Sequence, residues 1–280
     1  MTRCRFSRHD WDAVVARAQR HAAMHVWRHY MQGVYRHLMQ EWFPATQAGR
    51  GLKSDLFEEA VTPHSLLADL GSESIGIDFS FAVVQAARAR LNLDGRTWLC
   101  VVGDLRQLPL QSGTITRLLS GSSLDHFACK ADIATSLAEF VRVLQPGGIL
   151  IITFDNPHNP VVWLRNHLPF SWLHRLRLVP YFVGATYDCD EARQQLEALG
   201  CTVTDVTAIA HAPRVPAIWL SVCVARLGWK PLEAWVTRLL ERFEAMRYWP
   251  TRYRTGYYLA LRAEKSVCGR KDADLRGRHD

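Results

Sequence analysis

The sequence predicts an α/β fold with a doubly wound, mainly parallel sheet, and three observations support this prediction. From residue 50 onward, short apolar segments alternate with amphipathic ones, which is the order of strands and covering helices in a parallel sheet. Two strand segments end in aspartate, at Asp78 and Asp104, and ligands of such sheets bind at the carboxyl ends of the strands. A length of 280 residues with 48% hydrophobic content suits one large domain with appendages.

Residues 1–48 are predicted to form a helical cap. Apolar side chains recur at steps of three and four between Trp11 and Trp42, which is the spacing of one apolar stripe on an α-helix. Pro44 follows the end of the stripe, and Gly33 could divide it into two helices. Such a stripe must be covered, most simply by the domain that follows.

Residues 49–265 are predicted to form the α/β domain. Its seven strand segments are 52–55, 74–78, 97–104, 114–120, 149–154, 202–210 and 255–264. Its helix segments are 56–70, 81–91, 131–144 and 189–199. A lid insertion at about 157–188 and a helical insertion at about 214–247, with helices over 215–227 and 231–246, interrupt the alternation. The polar residues 266–280 are predicted to form a flexible tail.

Composition indicates a soluble cytoplasmic protein. The seven cysteines are scattered and form no CxxC pair, which argues against a disulfide framework or a zinc module and fits a reducing compartment. The first residues, MTRCRFSRHDWD, lack the apolar core of a signal peptide, and the longest apolar run, residues 215–225, is too short to cross a bilayer. The net charge of +7 is carried by regions that flank an acidic middle, a pattern that could favour an acidic substrate, an anionic membrane surface or nucleic acid. Solvated helix faces explain the same charge more simply. The basic residues are dispersed, so no nucleic-acid partner is predicted.

Three segments, taken together and in order, resemble the class I S-adenosylmethionine-dependent methyltransferases. They are GIDFSFAVVQAARARL, GDLRQLPLQSGTITRLLSGSSLDHF and LAEFVRVLQPGGILIITFDNP. The closing TGYYLALRAEK is similar to the final antiparallel strand of that Rossmann-like fold. The resemblance covers about residues 50–155 and implies a seven-stranded sheet, S-adenosyl-L-methionine as cofactor, and methyl transfer to a small molecule.

The same resemblance implies roles for five cofactor-binding residues. Asp78 would hold the ribose, and Asp104 would accept from the adenine amine. Phe79 and Leu105 would pack on the nucleoside, and Ser120 would lie beside the methionine part. The carboxylate of Asp78 could alternatively be a helix cap, although Ser80 fills that role better.

The first strand departs from the family pattern in the stretch LKSDLFEEA. In the family this strand runs into an acidic residue and alternating glycines; aligned on Asp55, the glycine positions hold Phe57 and Glu59. Asp55 and Glu58 match a capping box, so the helix is predicted to start at once. Its free N–H groups and Lys53 would then receive the methionine carboxylate, and Asp55 its ammonium group. The alternative is a scaffold that has lost the cofactor.

Candidate catalytic residues follow the fourth and fifth strands. His126 is the first choice of general base, because the unperturbed pKa of histidine lies near neutrality. Asp125, Asp155 and Asn156 are candidates to orient or bind the acceptor. A capping or core role for His126 is equally compatible with the sequence, and Asn156 before Pro157 also marks an ordinary turn.

The acceptor is predicted to lie under the inserted segments. Residues 161–184 mix aromatic side chains with arginines, which suits an apolar or aromatic acceptor that bears an acidic group. The mixture also suits a helix resting weakly on anionic lipid, or simple packing of a lid. Tyr181, His211 and Arg214 are the predicted substrate contacts. A histidine row at 21, 25 and 29 lacks a further ligand at matching spacing, so no metal is predicted.

Three functions remain open from the sequence. The first is a methyltransferase for a small acceptor. The second keeps the cofactor but closes a ring, since the unusual first-strand turn would change how the methionine end is held. The third is a non-catalytic protein on the same scaffold. The oligomeric state, the acceptor and the methylated atom cannot be predicted from these residues.

Overall fold

The computed structural model describes residues 22–45, 47, 49–62, 65–92, 98–168, 172 and 184–267. The strands are β1 (Gly51–Lys53), β2 (Ile75–Asp78), β3 (Leu99–Val102), β4 (Ile115–Gly121), β5 (Leu144–Asp155), β6 (Cys201–Ile209) and β7 (Tyr258–Lys265). They form one sheet in the order β3-β2-β1-β4-β5-β7-β6. Strands β1 to β5 pair in parallel, and β7 runs antiparallel between β5 and β6. The predicted doubly wound α/β fold is therefore confirmed.

The α-helices of the described ranges follow the alternation of the sequence. They are α1 (His25–Trp42), α2 (Phe57–Val61), α3 (Leu66–Asp69), α4 (Phe81–Leu91), α5 (Lys130–Val143), α6 (Pro160–His167), α7 (Cys189–Ala198), α8 (Arg214–Leu227), α9 (Lys230–Arg242) and α10 (Arg252–Thr255). Short 3-10 turns lie at Ala22–Met24, Leu124–His126 and Phe243–Tyr248.

Helices cover both faces of the sheet, because successive side chains of a strand point to opposite sides. Leu150 of β5 belongs to a core with Leu137 of α5. The next residue, Ile151, belongs to a second core with Leu38 of α1 and Leu240 of α9. Continuous apolar strands such as β5 are expected where both faces are buried.

Helix α1 lies across this second face and is held there by polar contacts. It runs unbroken through Gly33, so the division that the sequence allowed at that residue does not occur. Gln32 Nε2 donates to Thr62 Oγ1 at 2.7 Å, and Arg36 Nε donates to Asp69 Oδ2 at 2.9 Å. The part of the predicted cap before residue 22 lies outside the described residues.

The segment after β1 differs most from the sequence prediction. Strand β1 ends at Lys53 rather than at residue 55, and the predicted helix 56–70 is divided into α2 and α3. Thr62 is extended because a proline follows it in the sequence, and the residue before proline is disfavoured in a helix. Ser65 then starts α3 by accepting from the N–H of Ala68.

Strand β3 is shorter than predicted, with Leu99–Val102 in place of 97–104. Beyond it, Asp104 leaves the ladder and accepts the backbone N–H of Arg106, and the N–H of Gln107 bonds to its carbonyl. This turn ends the strand early, because an aspartate side chain that bonds two residues ahead competes with ladder pairing.

Candidate functional site

The candidate site lies at the carboxyl edge of the sheet, where five parallel strands end together. Lys53 ends β1, Asp78 ends β2 and Asp155 ends β5. Asp78 lies opposite Val102, so Asp104 follows just beyond the neighbouring strand. The sheet therefore brings the predicted cofactor and catalytic residues to one edge.

Asp78 is partly buried and bonds to two backbone groups. Its Oδ1 accepts from Ser80 N at 2.8 Å, and its Oδ2 accepts from Leu56 N at 3.1 Å. Burial, and then the charge of Asp55, raise the pKa of the Asp78 carboxyl to about 7. The carboxylate predicted to receive a ribose thus also fastens the turn that follows β1. Phe79, the next residue, is half-buried beside it.

Asp104 is partly exposed and carries a two-pronged ion pair. Arg106 Nη2 lies 2.6 Å from Asp104 Oδ2, and Arg106 Nε lies 3.0 Å from Asp104 Oδ1. The same guanidinium reaches Asp132 at 3.3 Å, so the charge next to Asp104 is itself shared. Leu105 is half-buried and packs against the main core. An exposed pair of this kind leaves room for a further donor on the carboxylate.

Lys53 and Glu59 form a buried ion pair under the turn after β1. Lys53 Nζ lies 2.9 Å from Glu59 Oε2 and also donates to the carbonyl oxygen of Asp55. Burial opposes the charge of Lys53, but the negative charges of the Glu59 and Asp55 carboxylates outweigh it and raise the pKa of Lys53 above the ordinary value. Glu59 Oε1 accepts from Leu67 N at 3.1 Å, so this pair connects β1 to both α2 and α3.

The predicted capping box at the start of α2 is wrong. Asp55 Oδ1 accepts from Phe57 N at 2.7 Å instead of from the N–H of Glu58. Because Asp78 takes the N–H of Leu56 and Asp55 takes that of Phe57, two N–H groups at the start of this five-residue helix already have partners. The expectation that the helix start receives a methionine carboxylate stays a prediction.

Glu58 faces the cap helix instead of the turn. Its Oε2 is buried and has no hydrogen-bond partner among the described residues. Burial raises the pKa of its carboxyl to about 7, and the positive charge of Arg28 on α1 acts in the opposite direction. The guanidinium of Arg28 lies 5.9 Å from the ring centre of Phe57, so α1 covers α2 with a cation at this edge.

A cluster of serine hydroxyls joins the ends of β1 and β4. Ser54 Oγ lies 2.9 Å from Ser120 Oγ and 3.0 Å from Ser123 Oγ. Ser120 is fully buried, whereas Ser123 is more exposed. A ligand would therefore interact with Ser120 indirectly, by way of Ser123, or only after a local rearrangement. The cluster is polar and lies between the turn after β1 and the catalytic candidates.

Asp125 and Asp155 form a buried acidic pair. Asp125 Oδ2 accepts from Ser122 Oγ at 2.7 Å and from Asp155 N at 2.9 Å. Burial, and then the charge of Asp155, raise the pKa of Asp125 to about 8. Asp155 has a cation of its own, because Arg165 Nη2 lies 2.8 Å from its carboxylate. The pair therefore combines one carboxyl that holds a proton near neutral pH with one paired carboxylate.

The remaining sequence-predicted residues differ in position. His126 lies half-buried on the 3-10 turn after β4, next to Asp125. Asn156 and His211 are buried. Asn156 donates to Tyr253 O and Gly256 O, and His211 contacts Ala208 O and Thr255 Oγ1. These contacts give both side chains a role within the fold. Tyr181 lies outside the described residues.

Arg214 lies at the start of α8 among aromatic side chains. Its Nη1 donates to the hydroxyl of Tyr258 at 2.8 Å, and its guanidinium lies 4.4 Å from the ring centre of Tyr257. The hydroxyl of Tyr257 accepts from Arg165 Nη1 at 3.1 Å. Two cations and two phenols thus meet beside the Asp155 carboxylate at the end of β5.

Tyr35 is a site residue that sequence reasoning missed. Its hydroxyl lies 3.0 Å from Thr153 Oγ1, and a Cβ on Gly121 would lie 3.4 Å from its ring. The charges of Asp125, Asp55 and Lys53 all act on its pKa, which burial raises above the ordinary value. The apolar stripe of α1 did not indicate Tyr35 as a site residue, because Tyr35 lies outside the stripe and faces the edge of the sheet.

Comparisons with known proteins agree with this architecture. A family model described as a methyltransferase domain matches residues 60–152. A probable S-adenosylmethionine-dependent methyltransferase of Mycolicibacterium smegmatis is 28% identical over 174 residues, which cover 62% of this chain and 58% of that relative. The chain thus spans little more than half of that relative.

Solved structures share the fold at low identity. An S-adenosylmethionine-dependent methyltransferase of Thermotoga maritima superposes with a TM-score of 0.55 at 14% identity, over 92% of this chain and 99% of that one. The [4+2]-cyclase SpnF superposes with a TM-score of 0.53 at 16% identity, over 83% and 80%. The chain therefore shares the fold of the class I S-adenosylmethionine-dependent methyltransferases, a family whose cofactor is S-adenosyl-L-methionine.

The residues present fit the adenosine part of that cofactor. The carboxylates of Asp78 and Asp104 are hydrogen-bond acceptors on adjacent strand ends, and neither is fully buried. The turn after β1 is built differently from a glycine-rich turn, since Leu56 N and Phe57 N are bonded to aspartates. Among the described residues, no helix is long and apolar enough to span a membrane, and no group of acidic, histidine or cysteine side chains could hold a metal ion.

Proposed function

We propose that this protein transfers the methyl group of S-adenosylmethionine to a small, apolar or aromatic acceptor that can carry an acidic group. The observation that carries the proposal is the pair of carboxylates, Asp78 and Asp104, that follow neighbouring parallel strands in a sheet of methyltransferase order. An adenosine that spans the two strand ends can donate its ribose hydroxyls to one and its amine to the other.

The cofactor-binding set follows from this placement. We assign the ribose to Asp78 and the adenine to Asp104, with Phe79 and Leu105 packing on the nucleoside. Lys53, Asp55 and Ser120 would surround the methionine part. Because Lys53 is already paired with Glu59, it would act by holding the turn in shape and by its charge more than as a direct ligand.

The catalytic set lies between β4 and β5. When bound, S-adenosylmethionine supplies a methyl group on a positively charged sulfur. The chain has to position the acceptor in line and exclude water, which helix α1 does by placing Tyr35 over Gly121. His126 is assigned as general base, next to Asp125, which holds a proton near neutral pH. Asp155 orients Arg165 toward the acceptor side.

The acceptor contacts are assigned to the cationic and aromatic group at the start of α8. Arg214 lies over the ring of Tyr257 and Arg165 donates to its hydroxyl, and guanidinium groups suit a carboxylate or phosphate on the acceptor. The phenol rings of Tyr257 and Tyr258 suit an apolar or aromatic body. Asn156 and His211 are not included, because their side chains bond to the fold.

The compartment is also part of the proposal. The described cysteines are free thiols, which supports a cytoplasmic protein. We treat residues 49–265 as the catalytic domain and residues 1–48 as its cap, because α1 supplies Tyr35 to the carboxyl edge.

A second candidate is ring closure within a bound substrate. The likeness to a [4+2]-cyclase and the glycine-free turn favour it. Mass spectrometry separates the two: methyl transfer releases S-adenosylhomocysteine, whereas closure on the methionine chain releases methylthioadenosine. A cyclisation confined to the substrate releases neither.

Calorimetric titration with S-adenosylhomocysteine tests the cofactor site. We expect one-to-one binding that weakens by about ten-fold to a hundred-fold in Asp78→Ala, because a charged acceptor is lost. Glu73→Ala removes an exposed carboxylate just before β2 and should bind normally. Asp78→Asn keeps the shape of the side chain and distinguishes lost binding from lost folding. Absence of heat in the intact protein would overturn the proposal.

A further inference from the structure

The described surface carries an unusual number of exposed tryptophans. Six of the nine described tryptophans are more than half exposed, although tryptophan is mostly buried in folded proteins. Three of the six, Trp219, Trp229 and Trp235, belong to the hairpin formed by α8 and α9. Leu227 at its tip is 71% exposed. An apolar surface of this kind needs a specific explanation.

The outer side of the hairpin combines tryptophan with cations. On α8, Trp219 and Arg226 are seven residues apart and lie on one helical face; on α9, Trp235 and Arg242 repeat this spacing. All four are exposed. The inner sides of both helices are buried in the core that includes α1, so the outer stripes face away from the protein.

Acidic side chains contribute little to this surface. Four basic residues of the hairpin are exposed: Arg226, Lys230, Arg238 and Arg242. Glu233 is buried and is paired with both Lys230 and His25, so its charge is compensated. Only Glu241 remains as an exposed carboxylate on α9. The exposed hairpin is therefore positively charged and aromatic at once.

The hairpin projects from the edge that holds the candidate site. Helix α8 begins just after β6, whose last residue, Ile209, pairs with Tyr258, and Tyr258 also pairs with Asp155. At the far end, Glu233 Oε2 lies 2.9 Å from His25 Nε2 at the start of α1. The tip therefore lies beside the end of the cap helix from which Arg28 extends over α2.

We propose that the α8–α9 hairpin docks on a bilayer that contains anionic lipid. Leu227 and Trp229 at the tip enter the headgroup region, and the four cations interact with lipid phosphates. Tryptophan favours this interface because its ring is apolar while its N–H remains wet, and long basic side chains extend from apolar surface to phosphate. Each cation near an anionic membrane adds attraction that salt weakens.

This surface differs from the segment that the sequence suggested for lipid contact, most of which lies outside the described residues. It is also independent of the proposed cofactor chemistry, because docking requires no ligand in the site. Docking would bring the carboxyl edge close to apolar molecules dissolved in the bilayer.

Vesicle flotation with the full chain tests the proposal. We expect the protein to float with vesicles of phosphatidylcholine and phosphatidylglycerol and not with phosphatidylcholine alone. The double variant Leu227→Ser/Trp229→Ser should bind anionic vesicles about ten-fold more weakly or worse, because apolar area is lost at the tip. The matched control is Tyr248→Ser/Trp249→Ser, which removes two equally exposed aromatic residues outside the hairpin. It should float like the unmodified protein.

The charge contribution is tested separately with Arg226→Glu/Arg238→Glu, which should lose most binding even at low salt. Thermal unfolding and titration with S-adenosylhomocysteine show whether each variant is folded and whether its cofactor site behaves like that of the unmodified protein. No flotation with anionic vesicles, or equal loss in the aromatic control, would overturn the proposal. So would light scattering that shows a dimer abolished by the tip variant, since the surface would then join two copies of this chain.

Discussion

Replacement of Asp125 by asparagine should stabilise the protein relative to the unmodified chain, and this gain in the free energy of unfolding should be larger at alkaline than at acidic pH. The side chain is 1% exposed, and its Oδ2 already accepts from Ser122 and from Asp155. An asparagine carbonyl can keep both contacts, while its NH2 takes the place of the protonated oxygen. The variant therefore removes a titration and preserves the local hydrogen bonds.

The sign follows from the two pKa values of Asp125. Its pKa is 3.8 in the unfolded chain and about 8 in the folded protein, so between these values the folded state keeps a proton that the unfolded state releases. Stability of the unmodified protein therefore falls as pH rises through this window. Asparagine does not titrate and escapes this loss. The advantage of Asp125→Asn is absent below the window, grows through it, and is constant above it.

The magnitude is set by the cost of a buried charge. A shift from 3.8 to about 8 corresponds formally to about 6 kcal/mol at ~1.4 kcal/mol per pKa unit. Water entry and side-chain relaxation reduce such penalties, and the nearby Arg165 cation attracts the ionised form. We therefore expect Asp125→Asn to gain on the order of 2–3 kcal/mol between about pH 5 and about pH 8.5.

Denaturant unfolding at a series of pH values measures this gain. The control is Asp190→Asn, which neutralises an exposed carboxylate at the start of α7 and should not reproduce the gain, because an exposed charge contributes little to stability. If Asp125→Asn gains nothing over the unmodified protein between the two pH values, Asp125 is ionised in the folded state. The buried acidic pair would then need another explanation.

Three further substitutions test the packing around the site. Gly76→Ala should destabilise by about 1–3 kcal/mol in denaturant unfolding, because its Cβ would lie 2.3 Å from Leu56 Cδ2. Gly33→Ala should instead stabilise by about 0.5–1 kcal/mol, since it lies within α1 and its Cβ meets only one carboxylate oxygen at 3.6 Å. Tyr35→Phe should cost about 1 kcal/mol through the lost Thr153 contact and leave S-adenosylhomocysteine binding unchanged by calorimetry. Equal effects of the two glycine substitutions, or weakened ligand binding by Tyr35→Phe, would contradict these expectations.

Elements whose signals are local could be predicted from the sequence. The helix predicted over 131–144 is observed as α5, Lys130–Val143, because its apolar spacing alone specifies a buried face. Asp78 and Asp104 could be placed on adjacent strand ends, because parallel strands end at a common edge once their order is known.

Contacts between distant segments could not be predicted. The capping box at Asp55 failed because Asp78, on another strand, takes the N–H of Leu56, and no local pattern shows such a competitor. Tyr35 was missed for the same reason: its partners Thr153 and Gly121 are far away in sequence. The divided helix is different, since the proline after Thr62 was a local signal that outweighed helical periodicity.

The turn after β1 shows how a glycine-free sequence can still close on the sheet. In a glycine-rich turn, close approach is achieved by removing side chains from the turn itself. Here the turn keeps its side chains, and the missing Cβ belongs to Gly76 on the neighbouring strand, where the side chain of Leu56 packs. The buried ion pair between Lys53 and Glu59 then holds the turn, and so does Asp78, whose carboxylate accepts from Leu56 N. The carboxylate assigned to the ribose is consequently part of the turn, so cofactor binding and the shape of the turn should respond together to any change at Asp78.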